Sequence, residues 1–122
     1  MNREEIFKKL DELNLDKDRY LILSGASLVV QGFISETDDI DIACDREYYD
    51  LIFGSIKVGA FGLPVKYFDV FEISYNLYYK DDVIIINGYR FLNIEKILQI
   101  KNDLGREKDK EVIMKLKKVL NK

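Results

Sequence analysis

Asp39 and Asp41 stand two positions apart at the head of the apolar run Ile40-Asp41-Ile42-Ala43, with eleven residues between Asp39 and the small-residue stretch Ser24-Gly25-Ala26-Ser27. Side chains in a strand repeat every second residue, so both carboxylates project to one face, about 7 Å apart at the usual rise. Ile40 and Ile42 then face the other way. Two acceptor-only groups this close repel each other unless a cation or a donor sits between them, and hard divalent cations such as Mg²⁺ take oxygen ligands of this kind. The chemistry that fits such a pair is metal-dependent phosphoryl transfer.

Ser24, Gly25, Ala26 and Ser27 fall where a strand gives way to a helix. Amides at that point face outward at the positive end of the helix, which favours an anion such as a phosphate, and Gly25 permits a close approach. Each motif also has an ordinary alternative, since small residues start many helices and acids at a strand end are often plain surface.

The sequence has no histidine and one cysteine. That excludes Ser-His-Asp and Cys-His nucleophile systems and every histidine-containing zinc site. Carboxylates, lysines, hydroxyls and backbone amides must carry any chemistry, a restriction that phosphoryl or nucleotidyl transfer tolerates because positioning and metal electrostatics dominate it. Cys44 is expected as a small buried strand residue, in keeping with a reducing compartment.

The elements that position these residues can be traced along the chain. Asn2 caps a helix over 2–13 with Ile6, Leu10 and Leu13 on one stripe. A polar connector, 14–19, leads to a buried strand over 20–23, then a helix over 26–31 that Gly32 stops in a left-handed conformation. The second strand covers 39–43 or 44, and Asp45 caps a helix carrying Tyr48, Tyr49, Leu51 and Ile52 that ends at Gly54. From Pro64 a strand is expected, with Val65, Tyr67 and Asp69 on one face. Further strands are expected over 72–79 and 83–86, and Asn87-Gly88 is a two-residue hairpin signal before Tyr89 to Phe91. Asn93 caps a helix up to Gly105. A last helix carries Val112, Ile113, Leu116, Val119 and Leu120 on one stripe.

At 122 residues, 48% hydrophobic and with a single proline, the chain reads as one folded domain spanning 1–122. No window approaches the apolar run of about 20 residues that spans a bilayer, so no membrane and a cytoplasmic location are expected. The net charge of −3 is uneven: residues 101–122 hold eight Lys or Arg against four Asp or Glu, which leaves the first hundred at −7. The C-terminal segment is the one suited to face phosphates.

Taken together, Gly25-Ala26-Ser27, Gly32 and Thr37-Asp38-Asp39-Ile40-Asp41-Ile42 resemble the signature of the nucleotidyltransferase superfamily shared with DNA polymerase β. The nearer likeness is to the small bacterial AbiEii-toxin group of abortive-infection and toxin-antitoxin systems. Lys101 followed by Arg106-Glu107-Lys108-Asp109 extends it towards the C-terminus. Ala26 stands where many members have a second glycine, Glu36 where a basic residue is common, and Val112 where another acid is expected.

The resemblance implies an α/β (α+β) fold, a mixed sheet flanked by helices with two helices at the C-terminus. It implies that Ser24, Gly25, Ala26 and Ser27 hold the phosphates of a nucleoside triphosphate, that Lys101, Arg106 and Lys108 support that end of the site, and that Asp39 and Asp41 ligate Mg²⁺. Members with full activity carry a third carboxylate on a later strand. Asp69 is the candidate, because Phe68 and Val70 would fill the core while it faces away, and Glu72 is the second choice. The implied reaction moves a nucleoside monophosphate from an NTP to a hydroxyl acceptor, whether tRNA, protein or small molecule, with help from self-association or a cognate toxin or antitoxin. The alternative is a catalytically inactive nucleotide-binding or partner-binding module of the same fold.

Overall fold

Asn2 opens the first helix with a reciprocal cap: its side chain accepts from the Glu5 amide at 3.0 Å and the Glu5 carboxylate accepts from the Asn2 amide at 3.1 Å. The computed structural model describes residues 1–53, 65–75 and 81–121. Helix α1 runs Arg3–Leu13 and buries Ile6 and Leu10. The polar connector that follows contains a 3-10 turn at Lys17–Arg19, where the Asp16 side chain accepts from the Asp18 amide at 3.0 Å. Local Asp chemistry of this kind shapes a turn without any apolar periodicity to announce it.

Strand β1, Tyr20–Ile22, is buried throughout. Helix α2, Ser24–Val30, begins two residues earlier than its apolar pattern predicts, so Ser24 and Gly25 lie inside its first turn. Its end is a Schellman arrangement. The Gly32 amide donates to Val29 and the Phe33 amide to Leu28, at 3.1 and 2.8 Å, with Gly32 at φ +86° as only glycine readily allows.

Strand β2 is Ile40–Cys44 and helix α3 is Arg46–Phe53. Asp45 caps α3, its carboxylate accepting from the Tyr48 amide at 2.7 Å. The expected helix stop at Gly54, the strand start at Pro64 and the strand residues 76–79 lie outside the described residues. Strands β3, Val65–Phe68, and β4, Phe71–Ser74, form a tight hairpin. The run expected to continue through Asp69 breaks there, because Asp69 adopts φ 53° and turns the chain. Aspartate tolerates the left-handed region better than most residues, which lets a turn form with no glycine to mark it. Strands β5, Val83–Ile86, and β6, Tyr89–Leu92, flank the Asn87-Gly88 turn, both residues of which have positive φ. Helices α4, Ile94–Leu104, and α5, Lys110–Leu120, complete the order.

The six strands form one mixed sheet in the order β3-β4-β2-β1-β6-β5. β2 pairs β1 antiparallel and β4 parallel, while β1 pairs β6 parallel. Alternation along these strands splits the interior in two. Tyr20, Ile22, Ile40, Ile42, Phe71, Ile73, Tyr89 and Phe91 pack with α1, α3 and part of α2. Leu21, Ala43 and Leu92 pack with Leu28 of α2, Ile97 and Leu98 of α4, and Leu116 of α5. Asp41 is two residues before Ala43, so it belongs to the α4 and α5 face. The architecture is the mixed α/β one expected, helices on both sides of the sheet. Among the described residues no helix is long and apolar enough to cross a membrane.

Candidate metal and nucleotide site

The sheet topology, rather than any local motif, assembles the acidic cluster. Because β2 and β4 run parallel with Asp41 in register with Glu72, their side chains emerge side by side on one face. Asp39 sits one residue before β2 and reaches the same face. One carboxylate oxygen from each of Asp39, Asp41 and Glu72 lies within 4.8 Å of the other two. Asp39 is exposed and the other two are half-buried, so the cluster opens towards solvent at Asp39.

Asp41 is the group under most stress. Its Oδ1 is buried with no hydrogen-bond partner. Burial, then the neighbouring charges of Asp39 and Glu72 and a hydrogen bond with Glu72, push its carboxyl up to about 7. An orphaned buried oxygen beside two further carboxylates is what a hard divalent cation relieves, supplying a partner for Oδ1 and cancelling the repulsion. The three residues fit an ion such as Mg²⁺.

Asp69 does not join this cluster, contrary to the expectation that it would be the third carboxylate. It lies on the β3–β4 turn, exposed, and its Oδ2 is held by Lys9 Nζ at 2.8 Å. The alternation that would set it on the Val65 and Tyr67 face ends at Phe68, because the chain turns at Asp69 itself. Glu72, the second choice, takes the place, and the signal for it was a lone acid between Phe71 and Ile73, whose side chains are buried.

The small-residue turn lies against the same end of the sheet. The Leu23 amide donates to the Asp41 carbonyl at 2.8 Å, which ties the start of α2 to β2. The first amides of α2, those of Ser24, Gly25 and Ala26, have no acceptor within the helix, as at any helix start. Thr37 packs over Gly25: a Cβ there would meet the Thr37 hydroxyl at 3.1 Å. That hydroxyl also donates to the Asp39 carbonyl at 3.4 Å, and the Thr37 amide donates to the Met1 carbonyl at 3.0 Å. Thr37 thus links the turn to the first acid.

Ser27 and Ala26 are buried and turned inward. The Ser27 hydroxyl donates to the Leu92 carbonyl at 2.6 Å and accepts from Gln31 Nε2 at 2.7 Å, and the Ser27 amide donates to the Leu23 carbonyl at 3.0 Å. Its polar atoms therefore join α2 to β6, which leaves Ser24 and Gly25 as the half-buried residues of the turn.

On the same side of the sheet, α4 and the turn before α5 form an ion cluster. Lys101 is 7% and Asp109 6% exposed. Lys101 Nζ donates to Asp109 Oδ1 at 3.0 Å and Arg106 Nε to Asp109 Oδ2 at 2.7 Å. Burial drives the Asp109 carboxyl up, but the hydrogen bonds and charges of Lys101 and Arg106 more than offset it and hold the group below its ordinary range. The structure brings Lys101 and Arg106 to one another through Asp109. Lys108 is exposed on the intervening turn.

No protein-family model and no curated protein matches the sequence. Among solved structures, the chain matches a "putative nucleotidyltransferase" from Thermotoga maritima at 22% identity and a TM-score of 0.64, over 99% of this chain and 96% of that one. At this identity the match establishes the fold: it is nucleotidyltransferase-like, and the acidic cluster is consistent with a metal site on that fold.

Proposed function

We propose that this chain is a metal-dependent nucleotidyltransferase, moving a nucleoside monophosphate from an NTP to a hydroxyl acceptor. The observation that carries the reading is the convergence of Asp39, Asp41 and Glu72 within 4.8 Å beside the Ser24-Gly25 turn. Asp39 and Asp41 would hold Mg²⁺ with Glu72 as the third carboxylate. Bound there, the ion would supply charge stabilisation to the displacement at phosphorus. Ser24 and Gly25 would offer backbone amides for the terminal phosphates, and Glu72 would accept the proton of the attacking hydroxyl. The likeness of residues 25–42 to AbiEii-type toxins supports an acceptor such as tRNA or protein and a toxin-antitoxin setting in the cytoplasm.

The test is incubation with each labelled NTP, Mg²⁺ and a host lysate. Transfer of label into RNA, protein or a small molecule is expected, and its loss in Asp39→Ala and Asp41→Ala. A second reading, a nucleotide-binding module without turnover, is favoured by one feature: the Ser27 hydroxyl and the Lys101 ammonium are spent on internal contacts. Metal-dependent NTP binding with no transfer to any acceptor would select it. Binding indifferent to both aspartate substitutions would sink either form of the metal-site hypothesis.

A further inference from the structure

Of the three clustered acids, Asp41 and Glu72 lie within paired strands, which fix them by register. Asp39 is placed differently. The ladder to β4 starts at Ile40, so Asp39 precedes it, exposed, and its carbonyl accepts a long hydrogen bond from the Thr37 hydroxyl at 3.4 Å. A carboxylate outside the ladder needs another device to hold it where it can share an ion with the other two.

Thr37 has the contacts to be that device. Its amide donates to the Met1 carbonyl at 3.0 Å, which holds its backbone. Its side chain is seated on Gly25, where a Cβ would lie 3.1 Å from Oγ1 and 3.9 Å from the Thr37 Cβ. Gly25 lies in α2 and is not among the glycines with positive φ. Glycine is a poor helix residue, and no special backbone angle calls for it here. What its missing side chain provides is room for the Thr37 hydroxyl. The space that the sequence suggests for an approaching phosphate is thus filled, on the Cβ side, by Thr37.

We propose that Thr37 is a positioning residue for the metal site, and that, seated on Gly25 and bonded to Met1, it sets where Asp39 stands relative to Asp41 and Glu72. The proposal rests on reading those three acids as a metal site. Gly25 then acts on the metal through Thr37 and not by contact. A methyl at 3.1 Å is tighter than ordinary contact, so a side chain at position 25 would force one partner to move. Helix α2 is the fixed one. The Leu23 amide on the Asp41 carbonyl anchors its start to β2, and the Ser27 hydroxyl on the Leu92 carbonyl anchors it to β6. The segment 33–38 is what yields, and it carries Asp39, two residues beyond Thr37, out of place.

Calorimetric titration of the nucleotide-free chain with Mg²⁺, beside thermal midpoints in chelator, is the test. Gly25→Ala and Thr37→Ala should each weaken Mg²⁺ binding by about tenfold, the lower end for a residue that orients a metal ligand. Thr37→Ser, which keeps the hydroxyl, should bind as the native chain does. With both Gly25→Ala and Thr37→Ala the new methyl meets no hydroxyl, and the Cβ contact is an ordinary 3.9 Å. That double variant should bind Mg²⁺ no more weakly than Thr37→Ala alone. Native affinity in Thr37→Ala overturns the proposal, and lower chelator midpoints beside it would reduce Thr37 to loop packing. Losses that multiply in the double variant overturn it as well. A native chain that binds no Mg²⁺ overturns the metal-site reading and this proposal together, whereas native binding that ignores Thr37 overturns this proposal alone.

Discussion

At the scale of single residues, Asp41 makes the sharpest prediction. Its ordinary carboxyl value is 3.8 and the fold raises it to about 7. Between those values the folded chain keeps a proton that the unfolded chain has released, so stability falls as pH rises through the window and levels off above it. In chelator, the thermal midpoint of the native chain should therefore fall relative to that of Asp41→Asn between about pH 4 and pH 7, reflecting a loss of stability on the order of a few kcal/mol. Saturating Mg²⁺ should reverse the order of the two proteins at neutral pH, because the ion uses the charge that the apo site tolerates poorly. Two proteins that melt in parallel across the range would show that Asp41 is ordinarily solvated. Glu72 and Asp69 divide in the same assay. Glu72→Gln should weaken the Mg²⁺-induced rise in midpoint, equivalent to at least about tenfold in affinity, whereas Asp69→Asn, which removes only the exposed Lys9 pair, should leave it intact. The site was thus legible in sequence for Asp39 and Asp41, whose spacing is local. It was ambiguous for the third acid, because one unmarked turn at Asp69 changes the phase of everything after it.

At the scale of elements, the join between α4 and α5 rests on a buried ion cluster. Lys101 and Asp109 are eight residues apart in sequence and in contact at 3.0 Å, with Arg106 on the second carboxylate oxygen. Removing Asp109 would leave Lys101 buried without its counter-charge, so Asp109→Ala should cost about 3 kcal/mol, and Lys101→Met together with Asp109→Ala should cost less than the two single losses combined. Urea unfolding of the four proteins measures this coupling, and strict additivity would argue that the contact is incidental. The depressed Asp109 carboxyl contributes stability above its ordinary range that disappears as pH falls through its lowered value. Helix α2 behaves similarly on the neutral side. Ser27→Ala deletes a buried hydroxyl that bridges Leu92 and Gln31, with an expected cost of about 1 to 2 kcal/mol and no change in Mg²⁺ affinity. A drop in Mg²⁺ or nucleotide affinity larger than the stability loss explains would return Ser27 to the site. Caps and hairpin signals such as Asn2, Gly32 and Asn87-Gly88 were readable from sequence because their chemistry acts within a few residues. The true start of α2 at Ser24 was not, since no side chain caps it and its apolar pattern starts only at Ala26.

At the scale of the whole molecule, the acidic cluster and the β5 edge lie on different parts of one sheet. β5 is separated from β2 and β4 by β6 and β1. The division between chain and fold is clearest here. The sequence by itself determined the chemistry available, since a chain without histidine and with a single buried cysteine has carboxylates, hydroxyls, lysines and amides to work with. It also determined the local pieces: the Asp39 and Asp41 spacing, the turn residues and the amphipathic stripes. Only the tertiary structure decided which distant groups meet. Glu72 joins the pair because β4 runs parallel to β2 in a register that sets it beside Asp41, whereas Lys101 meets Asp109 and Ser27 meets Leu92 because helices close on the sheet. Periodicity records which way a residue faces along its own strand. Strand order and register decide what it faces, and they arise from burying both faces of the sheet at once, a condition that no single segment expresses.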